Sequence, residues 1–131
     1  MSEKDVPFIH IKSLPFTKSS DVAAVLEGLS RDFAKQTGIE LKHIHATWEF
    51  LRPGHYAVAG KTRRRQPKTS HPLLVDLLSP DLNGAESIEI MLSCLASSLA
   101  RRTGISRKNI FINHRQARSG MVFDAGTVEH W

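Results

Sequence analysis

At 131 residues, with 40% hydrophobic and 24% charged residues, the chain has the length and mix of one globular domain around one core. No apolar run is long enough to span a bilayer, and no apolar signal core follows the charged opening Met1-Ser2-Glu3-Lys4-Asp5, so a cytoplasmic protein is expected. The net charge of +5 is concentrated in Lys61-Thr62-Arg63-Arg64-Arg65-Gln66-Pro67-Lys68, which reads as a solvated, mobile loop and not as a nucleic-acid surface.

A first strand is expected over Pro7 to Lys12, where proline is tolerated because it opens the strand. Ser19, Ser20 and Asp21 are N-cap candidates for an amphipathic helix. Its apolar stripe is Val22, Val25, Leu26, Leu29 and Phe33, and Thr37-Gly38 stops it. A second strand is expected over His43 to Leu51, broken by Arg52-Pro53-Gly54. The polar stretch from His55 to His71 suits a long loop or a ragged hairpin. His71 to Leu78 is nearly continuous in apolar residues, the pattern of an interior strand. Ile88, Met91, Leu92, Leu95 and Leu99 mark a second helix closed by Thr103-Gly104; Cys94 falls among these leucines and reads as a small core residue without a disulfide partner. Ile110 to Asn113 is a fourth strand, and Arg118-Ser119-Gly120 turns the chain into a short tail.

The second half repeats the first. Thr37-Gly38-Ile39, Lys42 and Ile44 return as Thr103-Gly104-Ile105, Lys108 and Ile110. At the same offset Leu26, Leu29 and Ala34 meet Leu92, Leu95 and Ala100, and Arg52 and Gly54 meet Arg118 and Gly120. One residue out of step, Pro7 meets Pro72. The expectation is therefore a single α+β domain over residues 1–131, built from duplicated β-α-β units (7–60 and 72–126). Its β-α-β-β-α-β order gives a four-stranded sheet with two helices on one face. The other face, with strands as apolar as Leu73 to Leu78, would need a cover, which self-association supplies. RNA-recognition domains share this element order, but the third strand lacks the aromatics that stack bases, which argues against nucleic acid as a partner. The histidines His43, His45, His55, His71 and His114 lack the Cys or carboxylate company of a metal site, so no metal or other cofactor is expected.

These residues resemble the tautomerase superfamily, whose members are strand-helix-strand duplications with a proline opening the first strand. The resemblance is carried by the duplication, by Pro7, and by Ile105 to Asn113, which looks like the closing helix-to-strand segment of the macrophage migration inhibitory factor group. Pro53 to Gly60 and Met121 to Asp124 look like loops of the cis-3-chloroacrylic acid dehalogenase group. Short bacterial tautomerase-like proteins of unassigned function are also similar.

The resemblance implies a homotrimer whose sheets enclose a barrel, and a keto-enol tautomerase or isomerase acting on a small carboxylated substrate. Pro7 would be the general base, with Asn113 and Phe111 beside the substrate. Arg52 or Arg118 would hold the carboxylate through paired guanidinium hydrogen bonds. Asp124 lies near an acidic position of the dehalogenases, but Phe33 stands where they carry a helix histidine, so hydrolytic dehalogenation is not implied. As the sequence is written Pro7 is internal, and its nitrogen is a tertiary amide with neither proton nor basic lone pair. Proteolysis or initiation at Val6 would free it. Otherwise the fold is expected to serve as a non-catalytic, oligomeric binding protein.

Overall fold

The computed structural model describes residues 7–18 and 20–131; Met1 to Val6, and Ser19 among the expected caps, lie outside the described residues. Strand β1 (Phe8–Ser13) alternates strictly, with Ile9 and Ile11 fully buried. Helix α1 (Val22–Thr37) starts at Asp21, whose carboxylate accepts the Ala24 N–H at 3.0 Å, and stops at Gly38. A single 3-10 turn, Leu41–His43, leads into β2 (His45–Phe50), which is shorter than expected because that turn takes His43. Two-residue strands β3 (Ala57–Val58) and β4 (Lys61–Thr62) make the ragged hairpin.

Strand β5 (Leu73–Pro80) begins and ends two residues later than expected, since His71 has a φ of 56° that an extended strand excludes. Helix α2 (Ala85–Thr103) and a second 3-10 turn, Arg107–Asn109, precede β6 (Ile110–Ala117). That strand outruns the expected Asn113 because it pairs with β5 to its end, Pro80 against Ala117. The tail is not irregular: it folds into β7 (Val122–Asp124) and β8 (Thr127–Glu129).

The sheet order is β2-β1-β5-β6. Each half supplies one parallel pair, β1 with β2 and β5 with β6, and the halves join antiparallel through β1 and β5. Both helices cover one face, where Ile9, Ile11, Leu73, Val75 and Leu77 meet Val25, Leu29, Phe33, Met91, Leu95 and Leu99 in one core. Burying a side chain such as Phe33 contributes roughly 1.5–3 kcal/mol.

The open face departs from the apolar surface expected. Strand alternation gives it Leu74 and Leu78 from β5, but also Asp76 from β5, His10 and Lys12 from β1, Thr47 and Glu49 from β2, and Asn113 and Arg115 from β6. His10 bonds Thr47 through Nδ1 and lies 3.4 Å from Glu49 through Nε2, and Arg115 lies 3.9 Å from Asp76. The middle of this face is a polar ladder. Only its ends carry exposed rings, Phe8 and Phe111.

The register also corrects the alignment of the two halves. Phe8 pairs with His45 and Leu74 with Phe111, and these pairs share the offset that relates Thr37 to Thr103. Leu73 is therefore the counterpart of Pro7, both fully buried, and Pro72 lies one residue earlier. The two hairpins obey the same offset: Ala59-Gly60 and Ala125-Gly126 both turn through positive φ (53° and 75°, 51° and 83°), the type I′ geometry that matches strand twist. Among the described residues, no helix is long and apolar enough to cross a membrane.

Candidate active site at the Pro7 end of the sheet

Where β1 and β2 begin, β5 and β6 end. Phe8 and His45 stack there with ring centroids 6.0 Å apart, and the Pro7 carbonyl accepts the His45 N–H at 3.2 Å. The β7–β8 hairpin leans over this end and encloses a cavity of about 260 Å³ lined by Phe8, His45, Leu78, Phe123, Asp124 and Trp131 among others. Two hydrogen bonds seat Trp131: its indole N–H donates to Asp81 at 2.6 Å and its backbone N–H donates to the Ser119 hydroxyl at 2.8 Å.

Pro7 is fully buried, immediately behind the Phe8 wall. One residue beyond the Phe8–Leu78 pair, Ser79 stands across from it on the helix side of the sheet, buried and 2.7 Å from His114 Nε2. Burial pushes the His114 pKa down.

The expected site residues other than Pro7 fall at three places along the sheet. Asp124 lines the cavity, and Arg118 is exposed in the turn that follows Ala117, another wall residue. Asn113 lies midway along the open face, opposite Asp76. Phe111, opposite Leu74, and Arg52, beyond the end of β2, lie at the far end of the sheet. Six strand positions separate Phe111 from Ala117, roughly 20 Å. The repeat explains the split: Arg52 and Phe111 are the far-end counterparts of Arg118 and His45.

Sequence reasoning passed over Phe8, His45, Phe123 and Trp131. Phe8 and His45 were legible as open-face positions at a strand start, whereas nothing in the tail marks Trp131 as a wall.

A larger cavity, about 360 Å³, lies between the helices beside Asp32, Lys35 and Cys94. Its acid is already engaged: Asp32 accepts from Ser98 at 2.6 Å, Arg101 at 2.8 Å and Arg102 at 3.1 Å. Burial, then the charge of Asp32, pushes the Cys94 thiol up and suppresses its reactive thiolate. Neither Asp32 nor Cys94 is therefore left as a free base or a reactive thiolate in that cavity.

The basic run is no mobile loop. Its arginines are exposed, but Gln66 is 5% exposed and its side-chain amide accepts from Leu14 N and donates to the Pro67 and His71 carbonyls. Asn109 pins the same segment through Pro67 and Ser70.

No protein-family model matches the chain, and no curated protein sequence does. Solved structures do. Pt0534, inactivated by 2-oxo-3-pentynoate, superposes with a TM-score of 0.81 at 16% identity, over 93% of this chain and 94% of that one. A fused 4-OT, solved as a symmetric trimer, gives 0.79 at 15%, over 93% and 94%. N1, a member of the cis-3-chloroacrylic acid dehalogenase family, gives 0.73 at 13%, over 93% and 82%. The chain thus has the fold of the tautomerase superfamily, a β-α-β duplication with a mixed four-stranded sheet.

Proposed function

We propose that this protein is a keto-enol tautomerase or isomerase that moves a proton between carbon and oxygen of a small carboxylated compound, with the Pro7 nitrogen as general base once it is a free amine. One observation supports this reading above others: the cavity containing Asp124 is walled by the residue that directly follows Pro7. A free α-amino group has a pKa of roughly 7.7–8.0, and burial lowers it, which suits a base working near neutral pH. Arg118 holds the carboxylate at the turn, and Asn113, midway along the open face and outside the cavity wall, bonds the substrate oxygen only from a second copy. Arg52 and Phe111 join this site only from a second copy whose far end lies alongside, so a homotrimer like that of the fused 4-OT is part of the proposal. A cytoplasmic setting suits a chain with one cysteine.

A second reading is favoured by the burial of Pro7 within a continuous chain. With its nitrogen in an amide, the same cavity binds a ligand without turning it over. Intact-mass measurement of the native protein, paired with turnover of phenylenolpyruvate or 2-hydroxymuconate, separates the two. The enzyme reading requires a chain beginning at Pro7, turnover by it, and loss of that turnover in Pro7→Ala. A native chain beginning at Met1 or Ser2 with no turnover leaves the binding protein.

A further inference from the structure

We propose that the cavity at the Pro7 end takes a cationic group of the substituted-ammonium class. Among the described residues four rings line it, those of Phe8, His45, Phe123 and Trp131, and the one acid is Asp124. Although the chain carries a net charge of +5, neither Lys nor Arg is among the described residues that line it. The Asp124 carboxylate is half-buried and has no hydrogen bond or ion pair among the described residues. Phe123 is 71% exposed and Phe8, though stacked on His45, is 42% exposed, so both rings keep surface open to a ligand.

Three kinds of ligand can be weighed against these walls. A neutral apolar group gains contact with the rings and Leu78 but strips water from Asp124 without giving it a partner. A carboxylate brings a like charge beside Asp124 in a half-dry site. A substituted ammonium does neither: the ring faces attract it electrostatically, its methyl groups bury apolar surface, and Asp124 is its counter-charge. The hydrogen bond to Asp81 holds the Trp131 indole as a fixed wall, which lowers the ordering cost of binding.

The inference deepens the proposed function and rests on it only for the ligand's orientation, with the ammonium in the cavity and a carboxylate left for Arg118 outside it. Binding itself needs no basic Pro7.

The test uses three probes of one shape: tetramethylammonium, tert-butyl alcohol and pivalate. In a Trp48→Phe background Trp131 is the only indole, and its fluorescence reports occupancy; calorimetry on the unsubstituted chain gives the same comparison should that variant fail to fold. Tetramethylammonium is expected to bind about tenfold more tightly than tert-butyl alcohol, with pivalate weakest. Asp124→Asn should erase the advantage of the cation, and Trp131→Ala, read by calorimetry in the chain that keeps Trp48, should weaken both cation and alcohol. Equal binding of cation and alcohol, preference for pivalate, or no cation binding by the folded chain overturns the inference. Turnover is measured separately: cation binding without turnover removes only the enzyme reading, and turnover without cation binding removes only this one.

Discussion

The Ser79–His114 pair shows what a buried titratable group does to this chain. His114 Nε2 lies 2.7 Å from the Ser79 hydroxyl on the helix side of β5 and β6, and burial favours the neutral imidazole by lowering its pKa. The unfolded chain has the ordinary value of about 6.5, so it binds a proton that the folded chain refuses. His114 therefore contributes stability above about pH 6.5 and loses it as pH falls through that window and toward its depressed folded value. We expect the wild-type advantage over His114→Gln, read from urea unfolding at about pH 7.5 and about pH 5, to shrink on acidification. An advantage that does not change with pH would mean that desolvation of His114 has no part in it. The pair was not legible in the sequence, because Ser79 and His114 sit on different strands and meet only through the β5–β6 register. Gln66 was hidden differently. It is the one uncharged hydrogen-bonding side chain between Arg65 and Lys68, and the surrounding charge drew the eye to solvation, while its amide was matching three backbone groups, two of them buried.

At the scale of elements, the helices were the most legible part, because their apolar stripes, the Asp21 cap and the glycines at Gly38 and Gly104 all signal locally. What joins the two helices was not legible. Arg102 crosses onto α1 to reach Asp32, with contacts of 3.1 Å and 3.2 Å, and the partners are far apart in sequence. Burial alone would raise the Asp32 pKa, but the hydrogen bonds from Ser98 and Arg102 and the charges of Arg102 and Arg101 together hold it below the usual carboxylate value. The crossing also explains a glycine inside a helix: a Cβ on Gly28 would overlap the Arg102 guanidinium. Alanine is ordinarily better than glycine in a helix by about 1 kcal/mol. We therefore expect Gly28→Ala to stabilise the chain by about that amount when Arg102 is already alanine, and to be neutral or destabilising in the wild type, where the guanidinium must leave Asp32. Urea unfolding of the four chains should give a coupling energy of about 1 kcal/mol or more, and an equal effect of Gly28→Ala in both backgrounds would remove this account of the glycine.

At the scale of the molecule, the duplication was readable from Thr-Gly-Ile and the helix stripes, yet the prolines misled by one residue. Alternating strands look alike when slipped, and only the shared pairing register, Phe8 with His45 and Leu74 with Phe111, shows that Leu73 stands where Pro7 does. That shift makes the two ends of the sheet chemically unlike. Opposite Phe8, His45, Phe123, Asp124 and Trp131, the second end presents Leu74, Phe111, Ala57, Val58 and Arg65 at the equivalent positions. It keeps one ring and loses the acid, and Lys12 takes the place of Leu78. A duplicated fold whose halves had stayed equivalent would bind two ligands per chain. Here the far end has no acid in the place of Asp124, keeps one of the four rings, and has leucine in the place of Pro7. Calorimetric titration of tetramethylammonium should accordingly give one site per chain, weakened about tenfold by Asp124→Asn and untouched by Val58→Ala. Two sites per chain would show that the ends remained alike despite their sequences, and the assignment of function to the Pro7 end alone would fall with that result.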